Sequence, residues 1–415
     1  MSHQAWSRRD FARTLAFGSS AALMPRPVSA SAWFEPQAGG EAYWQGIRDQ
    51  FLMPPRIAMF NAANLCPASA RVNDALERAS RDIDRDPSPA NRAKFGEGRE
   101  EVRRQIAAFV GADAEEIVIT RNTSEANNLV SSGLDLGPGD EVLLLADNHP
   151  SNNTAWTQKA ERAGFEVRTL EQPNPHPGFD YYLDAITRAI SPRTRVLAFT
   201  HVTSTVGDVM PAAELCRLAR QRGVLTLVDG AQSFGVLDIN LAEMRPDFYT
   251  GSAHKWPCGA RENGLLFVGR AVHDRLSPSV ISLYGGRTGI SRTMEAHGQR
   301  DDAAMMAFGE AIAFQTEVGT ARVEARARAL GSAFVDGLQR IDGVEIRTSP
   351  DPALRSSIVV FQPGTLNPGA LSTALYENHG VISAGRGQGV RLSPHFYNTM
   401  AEVERTVAAV REAVV

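Results

Sequence analysis

The sequence predicts an α/β fold, with a large domain built on a mostly parallel sheet and a smaller α+β domain at the C-terminal end. Its 415 residues exceed the usual domain size of about 150 residues. Between residues 100 and 270, short apolar runs alternate with helical patterns, which is typical of strands buried on both faces of a parallel sheet. Polar residues cluster where these runs end, and open sheets of this kind bind ligands at their strand ends.

Local patterns indicate each element of the large domain. Apolar or β-branched runs predict strands at 117–120, 141–146, 195–200, 224–228, 247–250 and 265–268. Apolar periodicity predicts helices at 102–110, 124–130 and 212–221.

A turn-rich stretch at 276–288 marks the predicted domain boundary. We expect an N-terminal segment at 31–56, a large domain at 57–285 and a small domain at 286–415. In the small domain, helices are predicted at 303–338 with an interruption at Gly319, at 370–378 and at 401–410, and strands at 344–347, 358–362 and 390–392.

Composition excludes several classes of protein. Apolar residues make up 43% of the chain and charged residues 22%, which are ordinary globular values. The formal net charge is -4 and no dense Lys/Arg run is present, which argues against a nucleic-acid partner. No apolar run approaches the ~18 residues of a membrane span. Three cysteines without CxxC spacing, Cys66, Cys216 and Cys258, argue against a disulfide scaffold and a zinc site, and we expect no metal.

Residues 1–30 are expected to be an export signal. Paired arginines, Arg8 and Arg9, precede Phe11 and a weakly apolar segment, and small residues follow at Val28 and Ala30. This order resembles a twin-arginine signal, which predicts a periplasmic location and the twin-arginine translocase as a partner during export. A disordered cytoplasmic tail is the alternative.

The segments around Asp229 and Lys255 carry the most chemical information. Asp229 closes a predicted buried strand, where an ionised carboxylate needs a partner because its desolvation is costly. Lys255 stands in the compact run Ser252-Ala253-His254-Lys255, and a buried lysine is a competent amine nucleophile. The pair suits pyridoxal phosphate, with Lys255 as the Schiff base to the aldehyde and Asp229 as the anion beside the protonated pyridine nitrogen. Each alone has an ordinary alternative, a surface lysine and a turn aspartate.

The pattern Asp229-Gly-Ala-Gln232 followed by Ser252-x-His254-Lys255 resembles the class V aminotransferase family of fold-type I pyridoxal phosphate enzymes. Cysteine desulfurases, isopenicillin N epimerase-like proteins and kynureninases are members, and the likeness covers residues 57 to about 400. The resemblance implies a seven-stranded, mostly parallel sheet and a homodimer.

The resemblance also assigns roles to individual residues. Thr123 and Ser124, in a turn before a helix, together with Ser252 and His254, match the phosphate site. His149 matches the residue that stacks on the cofactor ring, Ser204 lies in the loop beside the ring, and Gln232 matches the donor to its phenolic oxygen. Arg391 matches the grip on a substrate carboxylate, and Arg386, Asn61 and Asn64 are expected to influence substrate choice. Gln299 stands where relatives reach into the neighbouring subunit's phosphate site.

Departures from the family pattern narrow the reaction. No cysteine follows Cys258, which argues against the persulfide route of cysteine desulfurases. Ser204 replaces the asparagine of desulfurases, as in the epimerase-like branch. The glycines at 385, 387 and 389 imitate part of a dinucleotide loop, but they do not open a helix, and we interpret them as a flexible loop.

The expected function is therefore that of a pyridoxal phosphate enzyme acting on an amino acid or a peptide-bound amino acid. Transamination, epimerisation, elimination and decarboxylation all remain open. The export signal together with epimerase-like motifs resembles periplasmic enzymes of siderophore maturation, including those that tailor pyoverdine. A non-catalytic binding protein with the same pocket is the alternative of another class. A nicotinamide-dependent oxidoreductase lacks its early G-x-G-x-x-G motif.

Overall fold

The computed structural model describes residues 40–387 and 389–414. The strands are β1 (Ala58–Met59), β2 (Ile117–Thr120), β3 (Glu141–Leu145), β4 (Glu166–Leu170), β5 (Thr194–Thr200), β6 (Leu225–Asp229), β7 (Phe248–Ser252), β8 (Gly264–Val268), β9 (Val344–Ile346), β10 (Val359–Pro363), β11 (Val381–Ile382), β12 (Ala384–Arg386) and β13 (Gly389–Leu392).

Helices cover the sheets and connect most of the strands. They are α1 (Glu41–Arg48), α2 (Ala70–Arg85), α3 (Pro89–Val110), α4 (Thr123–Gly133), α5 (Pro150–Ala163), α6 (Phe179–Ala189), α7 (Ala212–Gln221), α8 (Leu241–Met244), α9 (Ser291–Met294), α10 (Asp302–Val318), α11 (Thr320–Leu338), α12 (Pro368–His379) and α13 (Met400–Val414). Short 3-10 helices lie at Ala114–Glu116, Arg270–Arg275 and Pro352–Leu354.

The large sheet has seven strands in the order β2-β8-β7-β6-β5-β3-β4. The strands from β7 to β4 run parallel to one another, whereas β8 is antiparallel to both of its neighbours. The prediction of a mostly parallel, seven-stranded sheet is thereby confirmed. Sequence patterns missed β4 because this edge strand is only half-buried and has no continuous apolar run.

The core of the large sheet explains why its central strands are so apolar. Every residue of β3, β6, β7 and β8 is buried, because helices cover both faces. Burial of apolar surface of this kind contributes about 25 cal/mol per Å². The central strands are therefore held firmly, and the polar side chains at their carboxyl ends have a rigid base.

The second sheet is antiparallel and has the order β12-β13-β10-β9. Its core includes residues of α11, α12 and α13, and also Phe60 from the N-terminal part of the chain. The short strand β1 pairs in parallel with β11, with Ala58 opposite Val381. The segment after β1 is thus fixed beside the C-terminal strands, and the boundary at residue 285 stays a prediction.

The predicted interruption at Gly319 is where α10 ends and α11 begins. Gly319 has φ of 93°, a backbone conformation that favours glycine because a Cβ atom would be strained there. The chain can therefore turn between two long helices without a loop.

The interpretation of the glycines at 385, 387 and 389 as a loop is wrong for Gly385 and Gly389, which lie in β12 and at the start of β13. The two strands pair, with Ala384 opposite Arg391 and Arg386 opposite Gly389. Glycine at 385 is required by close packing, since a Cβ atom there would overlap the carbonyl oxygen of Pro368. Gly385 allows a tight approach to α12, and the hairpin fixes the positions of its two arginines.

Among residues 40–387 and 389–414, no helix is long and apolar enough to cross a membrane. The predicted export signal at 1–30 lies outside the described residues.

Candidate active site

The candidate site lies at the carboxyl ends of the parallel strands. β3 leads to His149, β5 leads to the loop that holds Ser204, β6 ends at Asp229, and Lys255 follows β7. These strands are neighbours in the sheet, so residues far apart in sequence meet at one edge.

Asp229 is buried, with 1% of its surface exposed, and it is well supplied with donors. The backbone N–H of Ala231 donates to Oδ1 at 3.0 Å, and the amide of Asn127 donates to Oδ2 at 2.9 Å. Asn152 adds a longer contact of 3.4 Å to Oδ2. These bonds compensate for the loss of water around the carboxylate and fix its orientation.

Asn127 and Asn152 are site residues that sequence reasoning missed. Asn127 lies four residues after Thr123 on α4 and so on the same helix face, and Thr250 of β7 donates to its Oδ1 at 3.1 Å. The spacing of four residues from Thr123, which was predicted to bind phosphate, is the sequence pattern that could have identified Asn127. Asn152 follows His149 on the first turn of α5, a position without a distinctive pattern.

Lys255 lies in the turn between β7 and β8 and is half-buried. Burial, the largest cause, lowers the pKa of Lys255 to about 8, the positive charges of Arg391 and Arg386 lower it further, and Asp229 opposes them. A substantial fraction of the amine is therefore neutral near physiological pH, as a nucleophile requires. The sequence contains only two other lysines, Lys94 and Lys159, which limits the candidates for a Schiff base.

His149 begins α5, and its ring has a defined orientation. The backbone N–H of Ser151 donates to Nδ1 at 3.2 Å, and the Ser151 hydroxyl lies 2.7 Å from the same atom. Loss of hydration and then the charge of Lys255 lower the pKa of His149. The neutral ring therefore accepts at Nδ1 and carries its proton on Nε2.

The predicted phosphate residues Thr123 and Ser252 are in contact. The backbone N–H of Thr123 donates to Oγ of Ser252 at 2.9 Å, and the two hydroxyl oxygens are 2.7 Å apart. Ser124 lies beside them and donates to Oγ of Ser151 at 3.3 Å. Hydroxyls at the start of α4 form a setting in which N–H groups and the helix dipole favour an anion.

His254 lies next to this group, and burial followed by the charge of Lys255 lowers its pKa to about 4. Its ring is therefore neutral at physiological pH. Its backbone carbonyl accepts from the N–H of Cys66 at 2.8 Å. This bond connects the segment after β1 to the turn that contains Lys255.

Gln232 is oriented by Trp256, a residue that no sequence pattern indicated. Trp256, fully buried, donates its indole N–H to Oε1 of Gln232 at 2.9 Å. Nε2 of Gln232 donates to the carbonyl of Ala63 at 3.0 Å. Because an indole N–H can only donate, the oxygen of the carboxamide must face Trp256, and Gln232 presents its second N–H as a donor.

Arg391 lies on β13 with its guanidinium fixed by neutral acceptors. Nη1 donates to the backbone carbonyl of Ser204 at 3.0 Å, and Nη2 donates to Oδ1 of Asn61 at 3.1 Å. Burial, with a further contribution from Arg386, lowers the pKa of Arg391 to about 10. The structure thus brings Arg391, Asn61 and Ser204 together on the side of Lys255.

Two predicted residues lie at the surface. Asn64 is exposed. Gln299 accepts from Nη1 of Arg92 at 3.0 Å and lines a surface cavity of about 290 Å³ together with Arg121, His297 and other residues. Within one chain, Gln299 therefore faces the surface near the phosphate turn, and its predicted role across a subunit boundary stays a prediction.

The three cysteines are buried. Sγ of Cys66 is 3.6 Å from the hydroxyl of Tyr397, and burial, with Cys66 as a close neighbour, raises the pKa of Cys258. Buried thiols of raised pKa are poor nucleophiles. No described residue of the hairpin strands is a cysteine.

The donor set fits pyridoxal phosphate. The hydroxyls of Thr123 and Ser252 at a helix start would hold the phosphate, the carboxylate of Asp229 would face the ring nitrogen, and the amine of Lys255 would bond to the aldehyde.

Comparison with known proteins identifies the family. The chain matches the family "Aminotransferase class-V" over residues 70–406. It is 33% identical over 393 residues to an isopenicillin N epimerase of Amycolatopsis lactamdurans, covering 89% of this chain and 98% of the relative. It is 30% identical over 344 residues to a cysteine desulfurase of Haloferax volcanii, covering 76% and 78%.

A solved structure supports the same assignment of fold. C-DES with glycine covalently linked to its PLP cofactor superimposes with a TM-score of 0.80 and 21% identity, covering 88% of this chain and 99% of C-DES. From the family match, the relatives and the fold together, this chain belongs to the class V aminotransferase family and is a fold-type I pyridoxal phosphate enzyme.

Proposed function

We propose that this enzyme acts at the α-carbon or side chain of an amino acid or a peptide-bound amino acid, and that it is exported to the periplasm. The observation that carries the catalytic part is Lys255, half-buried after β7, whose pKa is lowered to about 8 by loss of hydration, with Asp229 raising it and Arg391 lowering it. An amine nucleophile, an anion and a carboxylate grip lie within one site. Pyridoxal phosphate, when bound, supplies the electron sink that stabilises negative charge at the substrate α-carbon.

The protein's own side chains would perform the remaining tasks. Arg391 holds the substrate carboxylate and so orients the bonds at the α-carbon. The free amine of Lys255 could take up and return a proton near neutral pH because its pKa is about 8. His149 is neutral and carries its proton on Nε2, so it can donate a hydrogen bond without adding charge.

Two reactions are favoured by specific observations. The alignment with isopenicillin N epimerase over 89% of the chain supports an epimerase, which needs a proton carrier such as Lys255. The cysteine desulfurase relative supports cleavage of a carbon–sulfur bond. Transfer of sulfur to a thiol of the hairpin is disfavoured, because the sequence has no cysteine after Cys258.

A non-catalytic binding protein with the same pocket is the alternative of another class. The site argues against it, because Lys255 has a lowered pKa and Asp229 is held by two asparagine amides. A pocket kept only for binding has no need for a neutral amine.

Export and assembly form part of the proposal. Arg8 and Arg9 support the twin-arginine route, and a secreted peptide or siderophore precursor, including one of the pyoverdine type, would then be available as substrate. A homodimer is supported by exposed apolar side chains on one segment, with Ile281 89% and Tyr284 64% exposed, since an apolar patch of this kind marks an interaction surface.

The test is incubation of the purified protein with candidate amines, including free amino acids and siderophore precursor peptides, in D₂O. We expect deuterium at the α-carbon or a modified side chain, detected by mass spectrometry. Lys255→Ala is the matched control and should give neither. If no amine gains deuterium or changes mass relative to this control, the catalytic proposal is wrong.

Localisation is tested separately. Replacing Arg8 and Arg9 by lysine should keep the protein in the cytoplasm, because the translocase reads the guanidinium pair. Protein of mature length in the periplasmic fraction of that variant would contradict the proposed route.

A further inference from the structure

The hairpin of β12 and β13 places two arginines side by side. Ala384 is opposite Arg391 and Arg386 is opposite Gly389. Opposite residues in an antiparallel pair point to the same face, and so do residues two apart on one strand. Arg386 and Arg391 are therefore diagonal neighbours on one face, with Cβ atoms roughly 7–8 Å apart.

The other face of the hairpin is closed. Val390 and Leu392, which alternate with Arg391, belong to the core of the small domain. Both arginines consequently face the candidate site, and the charges of both reach the amine of Lys255 and the ring of His149.

Neither guanidinium has a carboxylate partner among residues 40–387 and 389–414. The bonds of Arg391 go to a carbonyl and an amide oxygen, and its Nε is buried without a partner although only 3% of the residue is exposed. Arg386 is exposed at the mouth of the site. A buried cation without a counter-ion is costly, so an anion from outside the chain is expected to pair with Arg391, and the exposed Arg386 beside it is free to take a second anion.

We infer that the substrate is an amino acid with two carboxylates, the α-carboxylate on Arg391 and a second carboxylate on Arg386. A single carboxylate would leave one of two adjacent like charges unpaired. The guanidinium fork matches a planar carboxylate. This inference rests on the proposed function and narrows its substrate class to acidic amino acids, free or with an accessible acidic side chain.

Binding of two simple acids tests the inference without turnover. Glutarate and pentanoate have five carbons each and differ in carrying two carboxylates or one. By calorimetry on the purified protein, we expect glutarate to bind on the order of tenfold more tightly, as for one additional charge-assisted pair. Arg386→Gln should reduce this preference to about twofold or less while leaving the affinity for pentanoate unchanged.

The controls distinguish a failure of this inference from a failure of the proposed function. Arg411→Gln removes an equally exposed arginine from α13 and should keep the wild-type preference, and Arg391→Gln should weaken both acids. Equal affinity of the wild type for both acids, or a preference that survives in Arg386→Gln, overturns the inference. Absence of a cofactor absorption band would instead overturn the proposed chemistry. The ratio of the affinities for glutarate and pentanoate could still be measured in that case.

Discussion

The corner around Asp229 and Lys255 differs from the β12–β13 hairpin in how its charges are balanced. In the corner, Asp229 accepts from Ala231 and Asn127, and its charge opposes that of Lys255. In the hairpin, Arg391 and Arg386 repel each other and meet no carboxylate among the described residues. The carboxylate of the corner meets its donors within the described chain, whereas the hairpin is left to be completed by substrate. Variants of the corner should therefore lose reaction rate, whereas variants of the hairpin should lose affinity for substrate.

The largest effect is expected for Lys255→Ala in the corner. Turnover should fall by about a thousandfold or more, because both the nucleophile and the proton carrier are lost. Borohydride reduction followed by peptide mapping should find no adduct in the variant, and Lys159→Ala should behave as the wild type. An adduct at Lys94 or Lys159 would show that Lys255 is not the attachment site.

Asp229→Ala should slow the reaction by roughly a hundredfold with cofactor still bound. The anion that stabilises a protonated ring nitrogen is removed, whereas the phosphate contacts of Thr123 and Ser252 are untouched. Stopped-flow measurement of α-proton release, together with cofactor content, checks this expectation. Wild-type rates would mean that the carboxylate has only a structural role.

In the hairpin, Arg391→Ala should raise KM on the order of tenfold to a hundredfold and leave cofactor affinity unchanged. The reason is that a charge-assisted grip on substrate is lost while the corner stays intact. Cofactor titration of the same preparation serves as the check on folding. Unchanged affinity for every amino acid tested would contradict the role of Arg391.

The smallest effect is expected for Trp256→Phe, about twofold to tenfold in kcat. The variant keeps an aromatic ring but loses the N–H that fixes the amide of Gln232. The pH midpoint of the cofactor absorption band should shift as it does in Gln232→Met, and the double variant should show no further shift. Trp156→Phe is a matched control, because its buried indole N–H has no partner. Additive shifts would mean that Trp256 does not act through Gln232.

Sequence patterns predicted the corner better than the hairpin. Asp229 was identified because it closes a continuous apolar run, and Lys255 because it stands in the compact run Ser252-Ala253-His254-Lys255. The supporting residues Asn152 and Trp256 depend on three-dimensional neighbours, and no local pattern distinguishes them, whereas the spacing of Asn127 from Thr123 was a local signal that the sequence analysis passed over.

In the hairpin, three glycines suggested flexibility. Glycine is needed at 385 because the backbone of α12 packs against it. That helix is close in space but separated in sequence, so a local sequence rule cannot detect the contact. The edge strand β4 was missed for a related reason, since half-exposed strands have mixed composition.

The pairing of β1 with β11 has a consequence for the order of folding. Ala58 and Val381 are more than 300 residues apart, and contacts of such high order form late because a long loop must close first. Asn61 and Cys66, which follow β1, meet Arg391 and the lysine turn only after that closure. During synthesis, the large sheet can assemble around Lys255 before Arg391 and Asn61 are in place to bind a substrate carboxylate. A chain that stops before β11 would hold its nucleophile but have nothing with which to orient a substrate.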